Sequence, residues 1–433
     1  MTKGPLEMDF NAFVGAETGI LKGINVNNKA CISKNFHNLA NLERQFEITC
    51  MNFGESQSEI LLGLRNQTVK VYDTQFKSFS QSMDTKGGTG PLVGIARNDG
   101  TIVTAAESGT VVYWKCDEKT MFDPVDKEVL TMGKLKKNDS NMEEEEREKH
   151  KVQMRAGKNL SRMRQNTFDK KIIGVGGKEV ELQVWDLSRP DIYLFRAKNV
   201  KPDNLCLRQE VWVSDLSFTS KDTVAVCSKH GQIRLYDMRT EKRRPVMELA
   251  WDEDQVANTA INSVEEQQVI VGTSAGKMGL WDFRVGQGYK GLVRKYGGCV
   301  GAVRDIATSQ GNQFFCAVGL DRFMRVWSVG KGGKIPTHKM YLKSRLNCVL
   351  MNENFDPNKE PADEKDNRQE NIELKNEDNS DDDIVEIVES DNDNDNEGAL
   401  NDKVETDELW DNMIVINSKR KKGDGKLQRK KVK

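Results

Sequence analysis

The sequence contains no Cys-x-x-Cys pair. Its eight cysteines stand singly at positions 31, 50, 116, 206, 227, 299, 316 and 348. The spacing of a structural zinc site and that of a redox dithiol are therefore both missing. Such a scatter fits a reducing compartment rather than a secreted disulfide framework. Histidine is scarce: His37, His150, His230 and His338 lie far apart, with no Cys or carboxylate at ligand spacing. No apolar run approaches the roughly 20 residues that cross a bilayer. The first ten residues hold no apolar core of the kind a secretion signal needs. There is no nucleophile elbow, and no polar constellation points to acid–base work. The expectation is a protein that is not an enzyme, with no metal, no cofactor, no small-molecule substrate and no membrane span.

Two glycine motifs resemble nucleotide-binding turns and fail on context. Gly286-Gln-Gly288-Tyr-Lys-Gly291 matches G-x-G-x-x-G, but that fingerprint must open a helix within a βαβ unit. Here it leads into the β-prone Leu292-Val-Arg and reads as a turn between strands. Gly272-Thr-Ser-Ala-Gly276-Lys277 is one residue short of a phosphate-binding loop and is followed by Met278 rather than Ser or Thr.

What is present is a strongly segregated charge. The 433 residues sum to −2. Glu353 to Asp411 carries 24 acidic and 5 basic residues, Lys419 to Lys433 carries 9 basic and 1 acidic, and the remainder has a balance of +9. A basic body, an acidic tether and a basic tip describe the chain better than its near-neutral total.

A β-rich phrase ending in an aromatic residue recurs along the body. It ends at Tyr72, Trp114, Trp185, Tyr236, Trp281 and Trp327, with gaps of 42, 71, 51, 45 and 46. Only the second gap departs far from the roughly 40 to 45 residues of a WD-type blade. Its excess is assigned to a surface insertion at about 117–158, which contains Asn141-Met-Glu-Glu-Glu-Glu146. Gly19-Ile-Leu-Lys-Gly-Ile24-Asn25 occupies the same phase earlier, making seven phrases. A second, alternating motif precedes each blade's middle, beginning at Ile48, Leu92, Leu160, Val213, Ile261, Val303 and Leu346. It too occurs seven times, but offset. The chain opens on an outer phrase without its inner strand and closes on an inner strand without its blade.

An open ring would leave ladder donors and acceptors unsatisfied and expose sheet edges. Pairing Leu346–Leu350 beside Ala12–Ala16 mends both ends. The expected fold is all-β: a seven-bladed WD40-type β-propeller closed by its N- and C-terminal strands, with a disordered charged C-terminal tail. An open β-solenoid or two sandwiches would be the rival architectures. The expected divisions are an N-terminal extension at 1–9, the propeller at 10–351, an acidic tail at 352–418 and a basic tip at 419–433. Only the sixth phrase has a turn aspartate, Asp321, six residues before its tryptophan, and the Gly-His dipeptide of WD repeats is absent. Polar networks between strands are expected to be thinned in most blades.

The binding signals are basic clusters. Arg196, Lys198 and Lys201, with Arg243 and Arg244, form the candidate docking surface for protein or RNA partners. Lys419, Arg420, Lys421 and Lys422, with Arg429, Lys430, Lys431 and Lys433, have the form of a two-part nuclear import signal and of an RNA-binding tail. No RNA-reading motif of stacked aromatics is visible. Within the acidic tail, Ile384, Val385 and Ile387 form a candidate SUMO-interacting strand that would pair by β-augmentation. Ser380 and Ser390 precede acidic residues and are candidate phosphorylation sites.

Several phrases are more specific than the WD pattern. Gly15-Ala-Glu-Thr-Gly-Ile-Leu-Lys-Gly23, Phe195-Arg-Ala-Lys-Asn-Val200 and Tyr341-Leu-Lys-Ser-Arg-Leu-Asn-Cys348 resemble the WD repeat-containing protein 74 family. Gly176-Gly-Lys-Glu179 before Trp185-Asp-Leu187, Arg243-Arg-Pro-Val246 and Gly319-Leu-Asp-Arg322 strengthen the resemblance. It spans the propeller; tail and insertion are unmatched, and the acidic insertion is longer than the family's usual connection. The resemblance implies a nuclear and nucleolar scaffold of ribosome biogenesis that assembles the pre-60S particle and supports rRNA processing. Implied partners are ribosomal proteins and pre-rRNA of that particle, an AAA-type remodelling ATPase and the exosome RNA helicase. A rival reading is a substrate receptor of a cullin-RING ubiquitin ligase, from the Trp281-Asp-Phe-Arg284 box and, more loosely, Tyr236-Asp-Met-Arg239.

Overall fold

Short runs of β-branched and aromatic residues separated by Gly, Asn and Asp turns fold as strands of about six residues. In the computed structural model these runs form seven four-stranded antiparallel sheets. Residues 10–27, 31–37, 42–85, 87–115, 151–189, 192–202, 204–251, 256–309, 311, 313–330, 334–352 and 355–357 are described. The second blade comprises Ile48–Phe53, Glu59–Leu64, Thr68–Asp73 and Ser78–Asp84. The third to seventh blades begin on the inner strands Leu92–Asn98, Leu160–Gln165, Val213–Phe218, Asn258–Glu265 and Val303–Thr308.

The first blade is assembled from both ends of the described chain. Leu346–Met351 is its inner strand, followed outward by Ala12–Ala16, Leu21–Val26 and Cys31–Phe36. The closing register pairs Ala12 with Met351, Phe13 with Leu350, Val14 with Val349 and Gly15 with Cys348. Asn352 locks this seam: its backbone N–H donates to the Asn11 carbonyl at 3.0 Å and its side chain to the Phe10 carbonyl at 2.9 Å. Phe355 is buried beyond the seam, edge-on to Phe314. The offset of the two repeat phrases thus resolves into a closed ring. The repeated aromatics lie on the third strand of blades two to seven, one in from the rim.

In the third blade, Lys151–Arg155 pairs with Thr110–Lys115 as the outermost strand. The extra length therefore enters between the third and fourth strands, and 151–155 belongs to the blade rather than to the insertion.

The core is not one mass but seven layers, one between each pair of neighbouring blades. Trp281 fills the layer between blades five and six, and Trp327, stacked on Phe315 at 5.1 Å, the layer between six and seven. Each such side chain contributes about 1.5–3 kcal/mol or more by leaving water. Neighbouring inner strands approach closely: a Cβ on Gly94 would stand 2.4 Å from that of Met163 in the next blade. Only glycine fits there. Asp321 accepts from the backbone N–H of Phe323 and Val300 and pairs with Arg325. Among the described residues the buried indole N–H groups of Trp185, Trp281 and Trp327 find no hydrogen-bond partner, whereas that of Trp114 donates to Thr104 at 3.0 Å. The polar network around the repeated aromatics is thus sparse.

Candidate docking interface

The inner strands carry a polar network that compensates. Every joint between adjacent blades holds a hydrogen bond involving a side chain of an inner strand. Asn347 donates to the Ile48 carbonyl at 3.0 Å, Asn52 to Ile95 at 3.2 Å, Gln165 to Arg97 at 2.7 Å and Asn262 to Ile306 at 2.8 Å. Asp215 accepts from Arg164 of blade four at 2.9 Å and from the Ile261 N–H of blade six at 3.3 Å. Asp305 accepts from the Val349 N–H of the closing strand at 3.0 Å. Asn52, Arg164, Gln165, Asn262 and Asp305 border a central channel of about 890 Å³ to which all seven inner strands contribute.

Contacts also cross between blades that are not neighbours. Asn52 donates to Gln165 at 3.0 Å, and Arg164 reaches Asp305 at 2.7 Å. Arg162 Nε lies 3.2 Å from Asp215, within ion-pair range although not aligned for a hydrogen bond. Burial alone would push the Asp215 carboxyl up, but Arg162 and Arg164 outweigh it and hold it below the usual range. Burial likewise works against the charge on Arg164, and Asp215 and Asp305 more than restore it. Two cations and two anions neutralise one another in the channel. Sequence reading missed this cluster, whose only signal was charge on strands whose neighbours are apolar: Arg162 and Arg164 in Leu-Ser-Arg-Met-Arg-Gln, and an aspartate in Val-Ser-Asp-Leu and Val-Arg-Asp-Ile.

At the rim, the basic residues singled out in sequence come together. Arg196 ends the outermost strand of blade four, Tyr193–Arg196, and is exposed, as are Lys198 and Lys201. Lys198 donates its backbone N–H to the Arg243 carbonyl of blade five at 2.8 Å, and Arg244 Nε donates to the Asn199 carbonyl at 3.3 Å. Arg243 is half-buried and Arg244 exposed. Two clusters more than 40 positions apart therefore form one basic edge where blades four and five meet. Asn199 fastens it, donating to the Gln209 carbonyl at 2.6 Å. Exposed apolar side chains flank it: Leu194, Leu205, Leu207 and Val246 are 53 %, 77 %, 62 % and 55 % accessible. They fall outside every repeat phrase, which is why the pattern did not single them out.

In the two ligase-type boxes the aromatics are buried, while the exposed arginines are spent on their own aspartates. Trp281 and Phe283 are buried, and Arg284 folds onto Asp282 at 2.7 Å. Arg239 folds onto Asp237 at 2.9 Å in the same way. Hydrogen bonding from Arg284 holds the Asp282 carboxyl down at about 2. Both arginines close their own turns. Among the described residues no group of His, Cys, Asp and Glu has the geometry of a metal site, and no helix is long and apolar enough to cross a membrane. The import-type tip 419–433, the strand candidate Ile384–Ile387, Ser380, Ser390 and residues 116–150 lie outside the described residues.

Comparison with known proteins agrees with this architecture. The family model described as "WD domain, G-beta repeat" matches residues 290–328, which end on the phrase holding Asp321 and Trp327. WD repeat-containing protein 74 of Bos taurus is 31 % identical over 367 residues, 82 % of this chain and 86 % of that protein. Its namesake in Homo sapiens is 30 % identical, covering 79 % and 80 %. Ribosome biogenesis protein NSA1 of Yarrowia lipolytica is 26 % identical over 41 % of this chain and 48 % of its own length.

Proposed function

From the premise that this chain belongs to the WD repeat-containing protein 74 family, we propose that it is a non-enzymatic scaffold of ribosome biogenesis. It acts in the nucleus and nucleolus, where it helps assemble the pre-60S large ribosomal subunit and supports the associated rRNA processing. The observation that carries this reading is the basic edge between blades four and five. It is prebuilt by the Lys198–Arg243 backbone hydrogen bond and by side-chain donations from Arg244 and Asn199 to carbonyls, and is bordered by exposed apolar side chains. A rigid amphipathic edge of this kind suits the mixed protein and RNA surface of an assembling particle, since rigid groups lose little entropy on docking. The likeness to a protein named for ribosome biogenesis supports the same class.

The non-catalytic role is supported by how the reactive groups are spent. The channel's charges neutralise one another, and burial pushes the Cys50 and Cys227 thiols up to about 12, far from a nucleophile's range. In the proposed cycle Arg196, Lys198, Lys201, Arg243 and Arg244 dock on ribosomal proteins and pre-rRNA, the tip 419–433 directs import, and an AAA-type ATPase with the exosome RNA helicase drives release. The test is charge reversal of the five rim residues to glutamate. Co-sedimentation with large-subunit precursors should fall while the melting temperature holds; unchanged sedimentation of the folded variant removes the docking role.

A further inference from the structure

Trp212 belongs to no repeat phrase and is not a layer of the core. It immediately precedes the inner strand of blade five and is only half-buried. Its backbone is pinned on two sides. It bridges Lys178 in the hairpin turn of blade four, and its carbonyl accepts the Lys229 N–H of the blade-five turn at 3.0 Å. The backbone that carries the ring is therefore fixed before any ligand arrives.

Cations surround it. Lys178 Nζ lies 4.9 Å and Lys229 Nζ 4.5 Å from the Trp212 ring centroid. Arg304, second residue of the blade-seven inner strand, is near enough to Lys229 that its charge, after burial, pushes the lysine's pKa down. Arg162 donates to the Arg304 carbonyl at 3.3 Å, which places the group at the starting end of the inner strands, beside the channel. Lys178, Lys229 and Arg304 are all exposed, and among the described residues none has a carboxylate within 4 Å. The nearby Glu210 instead faces His230, at 3.6 Å. Arg239, Arg284 and Arg325 each fold onto an aspartate of their own turn, so two lysines on one indole and an arginine near them, all without such a match, need a separate explanation.

We propose that this end of the channel binds single-stranded RNA, one base stacking on Trp212 and the neighbouring phosphates meeting Lys178, Lys229 and Arg304. A nucleotide presents a π-face and an anion together, and bound lysines exchange the ring for phosphate as the base arrives. An acidic peptide satisfies the cations but leaves the indole without a role, so the aromatic decides for RNA. The residues are distinct from the rim cluster, and the inference stands without the ribosomal reading.

The test uses the full-length protein and a short oligouridylate. Ultraviolet cross-linking followed by peptide mapping should place a cross-link in the segment containing Trp212. Trp212→Ala should weaken binding on the order of tenfold at fixed salt, and Trp212→Phe should restore most of it. Lys229→Glu with Arg304→Glu should weaken binding and flatten its salt dependence. Cross-links confined to 419–433, with Trp212→Ala binding as wild type, would overturn the proposal. So would displacement of the RNA by an oligoglutamate whose own binding ignores Trp212→Ala, since that assigns the site to acidic protein segments.

Discussion

Arg164 spans the channel to Asp305, its Nη2 2.7 Å from the carboxylate, and so ties blade four to blade seven. The same guanidinium holds Asp215 of blade five, and Asp305 in turn holds the closing strand through the Val349 N–H. One arginine thus bears on three blades and, through Asp305, on the seam. In ordinary terms a buried pair contributes little net stability, yet removing one partner leaves an uncompensated charge.

Arg164→Met should therefore cost about 3–5 kcal/mol in denaturant melts. The pH dependence follows from Asp215, whose folded carboxyl lies below its unfolded value because the arginines outweigh burial. Its contribution is fully present above about pH 4 and is lost as pH falls through the lower folded value. Wild type should destabilise on acidification below about pH 4, and the acid limb of Arg164→Met should be shallower.

The seam gives a second expectation. Val349→Pro removes the N–H that Asp305 accepts while sparing the ladder to Ala12–Ala16, since the inner strand is a sheet edge. Its cost should be about 1–3 kcal/mol. Removing 340–351 takes away the whole inner strand and should yield a domain that melts earlier and is cut by protease within the first blade. A truncated form as resistant as wild type would mean the ring does not depend on closure.

The cysteines give a third. At pH 8 a maleimide should label the exposed Cys206 and leave Cys50 and Cys227 unmodified, because burial pushes both thiols up to about 12. All three should react after unfolding. Mass spectrometry of labelled peptides reads the result directly.

The ring was legible because its units repeat. Seven alternating phrases and seven outer-strand phrases, six of them ending in an aromatic, are offset by one strand and imply both the blade count and the head-to-tail seam, and the pairing of Ala12 with Met351 realises it. The insertion's far edge was not legible. Lys151-Val-Gln-Met-Arg155 is too short and too polar to announce itself as a rim strand, and only its pairing with Thr110–Lys115 shows what it is. The rim cluster was legible as charge but not as a place. Nothing in the spacing of Lys198 and Arg243 says that their backbones meet. The channel network and the Trp212 group escaped for the same reason: their members come from different blades, and only the closed ring puts them side by side.

Phe10 and Asn352 stand 342 positions apart and share a hydrogen bond. A growing polypeptide must therefore hold six finished or nearly finished sheets, with an incomplete first one, until its last strand is available. Long-range pairing of this kind is slow and leaves edges open to wrong partners while it waits. In the interval the strand Ala12–Ala16 is a vacant template, and chaperone demand during synthesis should concentrate there rather than on any later segment.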